Sequence, residues 1–368
     1  MDEQMNLMPI VQRILLYKGK FFPQIKAAPF PTRLHFALTS VCNLSCPFCW
    51  RNRNISNKKR FESAPDKVID QWLDLINNDL DIVHPGGGGE PLLHPRFGEF
   101  IRKAFDIQKC SPKEKPEIHL VTNGTLIGKW PVLLEAFETG RVQIAISMES
   151  AHLERYKLFR VGGDLKIVEI NLWNIRKARE RGNNLLPRTI VKIDSVLTRH
   201  NVRDAAGLIA FASGTGVDKI TFKKLRSNSN SPQHFRHEDG VLTPSQLNHM
   251  ITIKEKGKDC GIAVNFSGFP DLDADYTLEG IRLPCEDIFC SARLHSNGNV
   301  YTCCPVVTDK ARVGNSLEEE LYDIWNSKKL IKARKRIISG RPASICTDCF
   351  HKNLIAMQTT VLRKRYLA

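Results

Sequence analysis

Residues 42–49 read CNLSCPFC, which sets Cys42, Cys46 and Cys49 at CxxxCxxC spacing just past the apolar run LHFALTS at residues 34–40. Three thiolates on one short loop can hold three corners of an iron–sulfur cube and leave the fourth iron open to another molecule. A zinc knuckle is the competing reading, and it needs a fourth Cys or His to close its tetrahedron. The first histidine downstream is His84, far outside the loop, so the spacing favours the open cluster.

Outward from that loop, short apolar runs recur: DIVHPGGGG, EIHLVTNG, VQIAISME, TIVKIDSVL and DKITFKKL. Both faces of each read as largely apolar, as buried parallel strands do, and enough chain separates them for crossover helices. Between them, APDKVIDQWLDLINN, PRFGEFIRKAFDI and LKIVEINLWNIRKARERGNN carry apolar residues at helical spacing. Six βα units imply a partial or complete barrel, or an open doubly wound sheet.

Composition agrees with an ordinary globular protein with a folded, enzyme-sized body, since 42% hydrophobic and 25% charged residues in a chain of 368 show no collagen-like, coiled-coil or low-complexity bias. The opening MDEQMNLMPIVQRILLYKGK has acids at Asp2 and Glu3 and only short apolar runs. It therefore reads as neither signal peptide nor membrane span, which makes the cytoplasm the expected location and a membrane an unexpected partner. The odd count of 11 cysteines, clustered towards the two ends, points to metal ligation over disulfides. A formal charge of +15 would draw in anions. The basic runs KKLIKARKR and LRKRYLA have helical spacing and few aromatics, so solvated helix faces explain them better than RNA binding does, and nucleic acid is not an expected partner.

The chain divides into an N-terminal extension (1–30), the βα region (31–226), a polar linker (227–245) within RSNSNSPQHFRHEDGVLTP, a cysteine-rich unit (246–350) and a basic tail (351–368). Seven of the 11 cysteines fall in the cysteine-rich unit, which is too small to rely on an apolar core alone. Cys285, Gly298 and Cys303 form C-x12-G-x4-C, around a hairpin-like turn at Ser296–Asn299, and Cys346 and Cys349 add a CxxC. Four such thiolates make a closed set that suits either an iron–sulfur cube or zinc.

The Cys42, Cys46, Cys49 triad after the first strand resembles the hallmark of the radical S-adenosylmethionine (radical SAM) superfamily. The resemblance implies an α/β fold, a (β/α)6 partial barrel, with a [4Fe–4S] cluster that binds S-adenosylmethionine. Gly87, Gly88, Gly89, Glu90 and Pro91 resemble the family's GGE motif, which implies that Gly88, Gly89 and Glu90 meet the methionine amino group; glycine permits that close approach. Thr122-Asn123-Gly124 ends the third strand as in family members. Ser147 and Glu149, ending the fourth, would contact the methionine carboxylate and the ribose hydroxyls. Phe48 matches an aromatic position whose backbone meets adenine, and Arg160 resembles an arginine that pairs with the cofactor's carboxylate.

The C-terminal cysteines resemble the SPASM auxiliary-cluster region or its shorter form, twitch, appended to such barrels. No cysteine follows Cys349 before Ala368, so the expectation is one auxiliary [4Fe–4S] cluster held by Cys285, Cys303, Cys346 and Cys349. Cys290 and Cys304 are left over as alternative ligands or buried thiols, and Cys290 and Cys260 are candidate hydrogen-atom donors. Cys110 reads as incidental.

The implied chemistry is reductive cleavage of S-adenosylmethionine to a 5′-deoxyadenosyl radical, which abstracts hydrogen from substrate, with flavodoxin or ferredoxin as electron donor. The expected reaction is dehydrogenation or epimerisation of a small, anionic substrate: a sugar, an aminocyclitol or a nucleotide-linked compound. The short auxiliary region favours it, as do the roughly thirty residues before the barrel, too few for a separate peptide-recognition domain. The alternatives are a maturase that modifies a peptide or protein and, behind it, RNA modification.

Overall fold

The computed structural model describes residues 30–49, 62–182, 189–225, 237–267, 269, 287–302 and 311–338. Seven parallel strands form one sheet: β1 (Arg33–Ala37), β2 (Ile82–Pro85), β3 (Glu117–Thr122), β4 (Val142–Ser147), β5 (Thr189–Leu197), β6 (Lys219–Lys224) and β7 (Ala263–Ser267). Their spatial order follows chain order, each pairing with the next. A sheet that always winds the same way has no switch point, which makes it the partial barrel and removes the doubly wound alternative.

A helix follows most strands and covers one face: Asp66–Asp74, Phe97–Cys110, Pro131–Thr139, Leu165–Arg181, Ala205–Thr215 and Pro244–Asp259. Phe36 shows why that face is buried, because its ring stands 5.6 Å from Trp72 and 5.1 Å from Phe100 of those helices. Leu34, Ile118, Ile144, Ile193 and Ile220 lie on the same side and are fully buried. Phe222 on β6 stacks against Phe266 on β7 at 5.8 Å.

Two sequence expectations change. Residues 246–267, assigned to the cysteine-rich unit, instead continue the sheet: Pro244–Asp259 packs as a crossover helix and β7 pairs in parallel with β6. This compact unit runs Arg33–Leu278 with Leu294–Asn297. The helix is set by a capping box in which Thr243 and Gln246 satisfy each other's backbone N–H groups, behind Pro244 in its first turn. The strands are also apolar on one face only. In the register of neighbouring strands, His35 pairs with His84, and Ala145, Lys192, Lys219 and Ala263 share one row. Those residues point away from the helices, into a concave polar face.

The other compact unit includes Glu279–Arg293 and Gly298–Ala368. Its described parts are a short helix (Asp287–Cys290), the start of β8 (Ser291–His295), whose hairpin leads into β9 (Asn299–Tyr301), β10 (Gly314–Asn315) antiparallel to β9, and helices Leu321–Trp325 and Lys328–Ile338. Gly298 closes the hairpin at φ +80°, and a Cβ there would meet Asn315 Oδ1 at 2.3 Å, so only glycine fits. In helix Lys328–Ile338, Leu330 and Arg334 are buried while Lys328, Lys329, Lys332, Lys335 and Arg336 are exposed, the solvated basic face read from KKLIKARKR. Arg334 lies over the Trp325 ring at 4.3 Å and donates from Nε to the Ile288 carbonyl at 3.0 Å.

Candidate functional site

The cysteine loop leaves the C-terminal end of β1, and the glycine turn after β2 holds its start. Gly89 N donates to Thr39 O at 2.6 Å and Glu90 N to Val41 O at 2.8 Å. The fit leaves no room for side chains: a Cβ on Gly88 would stand 2.8 Å from Thr39 O, and one on Gly89 would stand 1.9 Å from Val41 O. Gly87 takes φ +131°, which other residues rarely reach. Glu90 is buried and holds the turn to β3, accepting from Thr122 Oγ1 at 2.7 Å, Asn123 N at 2.8 Å and Leu92 N at 3.3 Å. Burial outweighs those donors and pushes its carboxyl up to about 7.

Within the loop, Leu44 N donates to Cys42 Sγ at 3.4 Å, and Asn123 Nδ2 stands 4.0 Å from the same sulfur while donating to Asn43 Oδ1 at 2.9 Å. Asn123 is placed by the turn at Gly124, whose carbonyl accepts from Asn171 Nδ2 at 2.8 Å. Cys46 is buried, and burial pushes its thiol up to about 11 against the opposing pull of Arg160. Among the described residues no three His, Cys, Asp or Glu side chains stand at metal-bonding spacing. The donor set nonetheless fits a thiolate-held cluster: three cysteines on one loop, N–H groups or a cation directed at two of the sulfurs, and no further cysteine or histidine on the loop.

Beyond β4, Ser147 lies on the concave face, in register with Asp194. Glu149 is 0% exposed, with both carboxylate oxygens taken by Arg160, Nε and Nη2 each at 2.6 Å. Val196 N at 3.4 Å completes its surroundings. Burial pulls this carboxyl upward and the guanidinium opposes it, and the two-pronged contact is that of an ion pair. Arg160 is 8% exposed; burial pulls its pKa down, but Glu149, Cys46 and Tyr156 together outweigh that and raise it. Its third nitrogen, Nη1, donates to Cys46 Sγ at 3.6 Å, and its plane lies 5.4 Å from the Phe48 ring. Phe48 also stands 6.2 Å from Phe159.

The concave face holds residues that the sequence reading passed over. Lys223 pairs with Asp194 at 2.6 Å, and burial lowers the pKa of Lys192. Lys219 Nζ meets the Asn265 amide oxygen at 2.6 Å once that amide is turned to satisfy its neighbours. The signal was the period-two charge in TIVKIDSVL and DKITFKKL, which marks a wet face. Cys260 caps the helix leading into β7. That places it at the N-terminal edge of the parallel sheet, opposite the cysteine loop, which removes it as a hydrogen-atom donor. Cys290 is half-buried beside Ser291, its sulfur 3.7 Å from the hydroxyl, and Cys110 is exposed at a helix end. Cys285, Cys303, Cys304, Cys346 and Cys349 lie outside the described residues.

A parallel partial barrel with a three-cysteine loop at the C-terminal end of its first strand and a glycine turn packed on that loop is the architecture of radical SAM proteins. Residues 36–207 match the radical SAM superfamily and residues 285–350 the SPASM iron–sulfur cluster-binding domain. The chain belongs to the radical SAM superfamily and carries a C-terminal SPASM region. It is a radical SAM enzyme whose cofactors are S-adenosylmethionine and a [4Fe–4S] cluster, with iron–sulfur binding in the SPASM region as well.

It is 24% identical to the tungsten-containing aldehyde ferredoxin oxidoreductase cofactor-modifying protein of Pyrococcus furiosus, over 86% of both chains. It is 23% identical to mycofactocin maturase MftC of Mycobacterium ulcerans, over 87% of this chain and 80% of that one. Similarity to the GTP 3′,8-cyclase of Alkaliphilus metalliredigens is 29% but spans only 44% of this chain and 47% of the cyclase. Among solved structures, Streptococcus suis SuiB bound to precursor peptide SuiA superposes with a TM-score of 0.65 at 14% identity, over 93% of this chain and 74% of SuiB. Among the described residues no helix is long and apolar enough to cross a membrane.

Proposed function

We propose that this enzyme modifies a peptide or protein, and this reading replaces the small-molecule substrate expected from the short N-terminal extension. The observation that carries it is the extent of likeness: the cofactor-modifying protein and the maturase align across 86% and 87% of this chain, whereas the nucleotide cyclases align across shares that run from 37% to 73%. The SuiB fold, which shares this architecture, accepts a precursor peptide.

In this reading Cys42, Cys46 and Cys49 hold the catalytic cluster, and Phe48, Gly88, Gly89, Glu90 and Ser147 shape the seat of S-adenosylmethionine. Bound there, the two cofactors supply a radical able to remove a hydrogen atom from an unactivated C–H bond. The protein's task is to position that bond and exclude water. The concave face, which Ser147 shares with Asp194, Thr221 and Asn265, is the surface that would receive the substrate. Cys285, Cys303, Cys346 and Cys349 would hold one auxiliary [4Fe–4S] cluster. Four such thiolates would leave no iron open to substrate, so the chemistry a cluster held by them would supply is electron transfer.

The test is 5′-deoxyadenosine formation by anaerobically reconstituted, reduced enzyme supplied with either the peptide and protein fraction or the peptide-free small-molecule fraction of a host extract. Stimulation by the first fraction alone is expected. Stimulation by the second alone would return the assignment to a sugar or nucleotide substrate.

A further inference from the structure

Arg160 does two things at once: it closes a bidentate ion pair with Glu149 and directs its remaining nitrogen at Cys46 Sγ, 3.6 Å away. All three groups are nearly excluded from water, at 8%, 0% and 7% exposure. A fixed charge in such a place acts through little solvent and is weakly screened by salt. Glu149 is held from further behind, by Val196 N and by Asn201 Nδ2, which donates to the Glu149 carbonyl at 3.1 Å. The guanidinium is therefore the near pole of an oriented pair and the carboxylate the far one. Turning Arg160 away from Glu149 to grasp S-adenosylmethionine would leave Glu149 ionised in the protein interior without a counter-charge, which is costly.

We propose that Arg160, oriented by Glu149, is a positioning residue that sets the reduction potential of the cluster on the cysteine loop by donating a charge-assisted hydrogen bond to the Cys46 sulfur. This inference rests on the reading that Cys42, Cys46 and Cys49 hold that cluster. Adding an electron to a cluster adds negative charge, so a cation and an N–H donor at one ligand favour the reduced form, and a nearby carboxylate disfavours it. The two members of the pair therefore oppose each other: removing the cation lowers the potential, and removing the carboxylate raises it. A pair that merely braced the fold would impose no such opposition of sign.

The experiment is an anaerobic redox titration of the reconstituted full-length protein with Ti(III) citrate, followed by electron paramagnetic resonance. The signal read is the one that changes on adding S-adenosylmethionine, which separates this cluster from any other. Arg160→Gln is expected to lower the potential by about 60 mV or more, a tenfold change in the ratio of reduced to oxidised cluster for one electron. Glu149→Gln is expected to raise it, and Arg160→Lys, which keeps the charge without the fork, to fall between Arg160→Gln and the wild type. If Arg160→Gln fails to load iron, the sign of the Glu149→Gln shift decides alone. Unchanged potentials, or Gln variants that both shift in the same direction, would overturn the proposal. Wild-type protein that assembles no such signal would instead overturn the ligand assignment beneath it.

Discussion

At the scale of single residues, Glu90 makes a pH-dependent claim. Its carboxyl is buried and pushed up to about 7, above its value in the unfolded chain, so the folded state binds the extra proton. The stability this contributes is complete below about pH 4.5 and is lost as pH rises through about 7, an effect on the order of 3 kcal/mol. Denaturant midpoints measured from pH 5 to pH 8 should therefore fall more steeply for the wild type than for Glu90→Gln, which keeps an acceptor for the Asn123 N–H and has no charge to bury. Parallel curves would show that the carboxyl titrates normally. The residue scale also shows what sequence can carry. Cys42, Cys46 and Cys49 were legible because ligand spacing is local. The partnership of Glu149 with Arg160 was not, because it depends on how the segment after β4 folds back across 11 residues onto the cysteine loop.

At the scale of elements, the glycine turn after β2 is a packing surface for the cysteine loop. Gly89→Ala would drive a Cβ into the Val41 carbonyl, so the loop must shift while the sheet, whose core lies elsewhere, stays folded. The expected result is near-native far-ultraviolet circular dichroism with most of the iron of the first cluster lost after reconstitution. Full iron retention would contradict the packing account. The capping box at Thr243 gives a milder test, since Thr243→Ala should cost about 1 kcal/mol in unfolding free energy and leave iron content unchanged. Six strands were legible from apolar runs bounded by glycine and polar residues. The seventh was not, because the run at residues 263–267 is short and alternates, and a polar stretch precedes its helix. The wet concave face was hidden for a related reason: long lysine stems and single charges among Val and Ile read as apolar runs until register sets Lys192 beside Lys219.

At the scale of the whole molecule, this chain joins a barrel that matches the radical SAM superfamily to a C-terminal region that matches the SPASM domain. The same barrel can serve nucleotide or peptide chemistry, because fold does not fix substrate. The superfamily was legible because its chemistry demands a local three-thiol loop, whereas the substrate leaves no comparably local mark. The central claim, that the cysteine loop supports reductive use of S-adenosylmethionine, is tested most directly by measuring 5′-deoxyadenosine from reconstituted, reduced wild-type enzyme beside Cys46→Ala. The account predicts 5′-deoxyadenosine and methionine in equal amounts from the wild type, and none above background from the variant. Wild-type protein with its iron verified that yields no 5′-deoxyadenosine with any extract fraction, or a variant as active as the wild type, would contradict it.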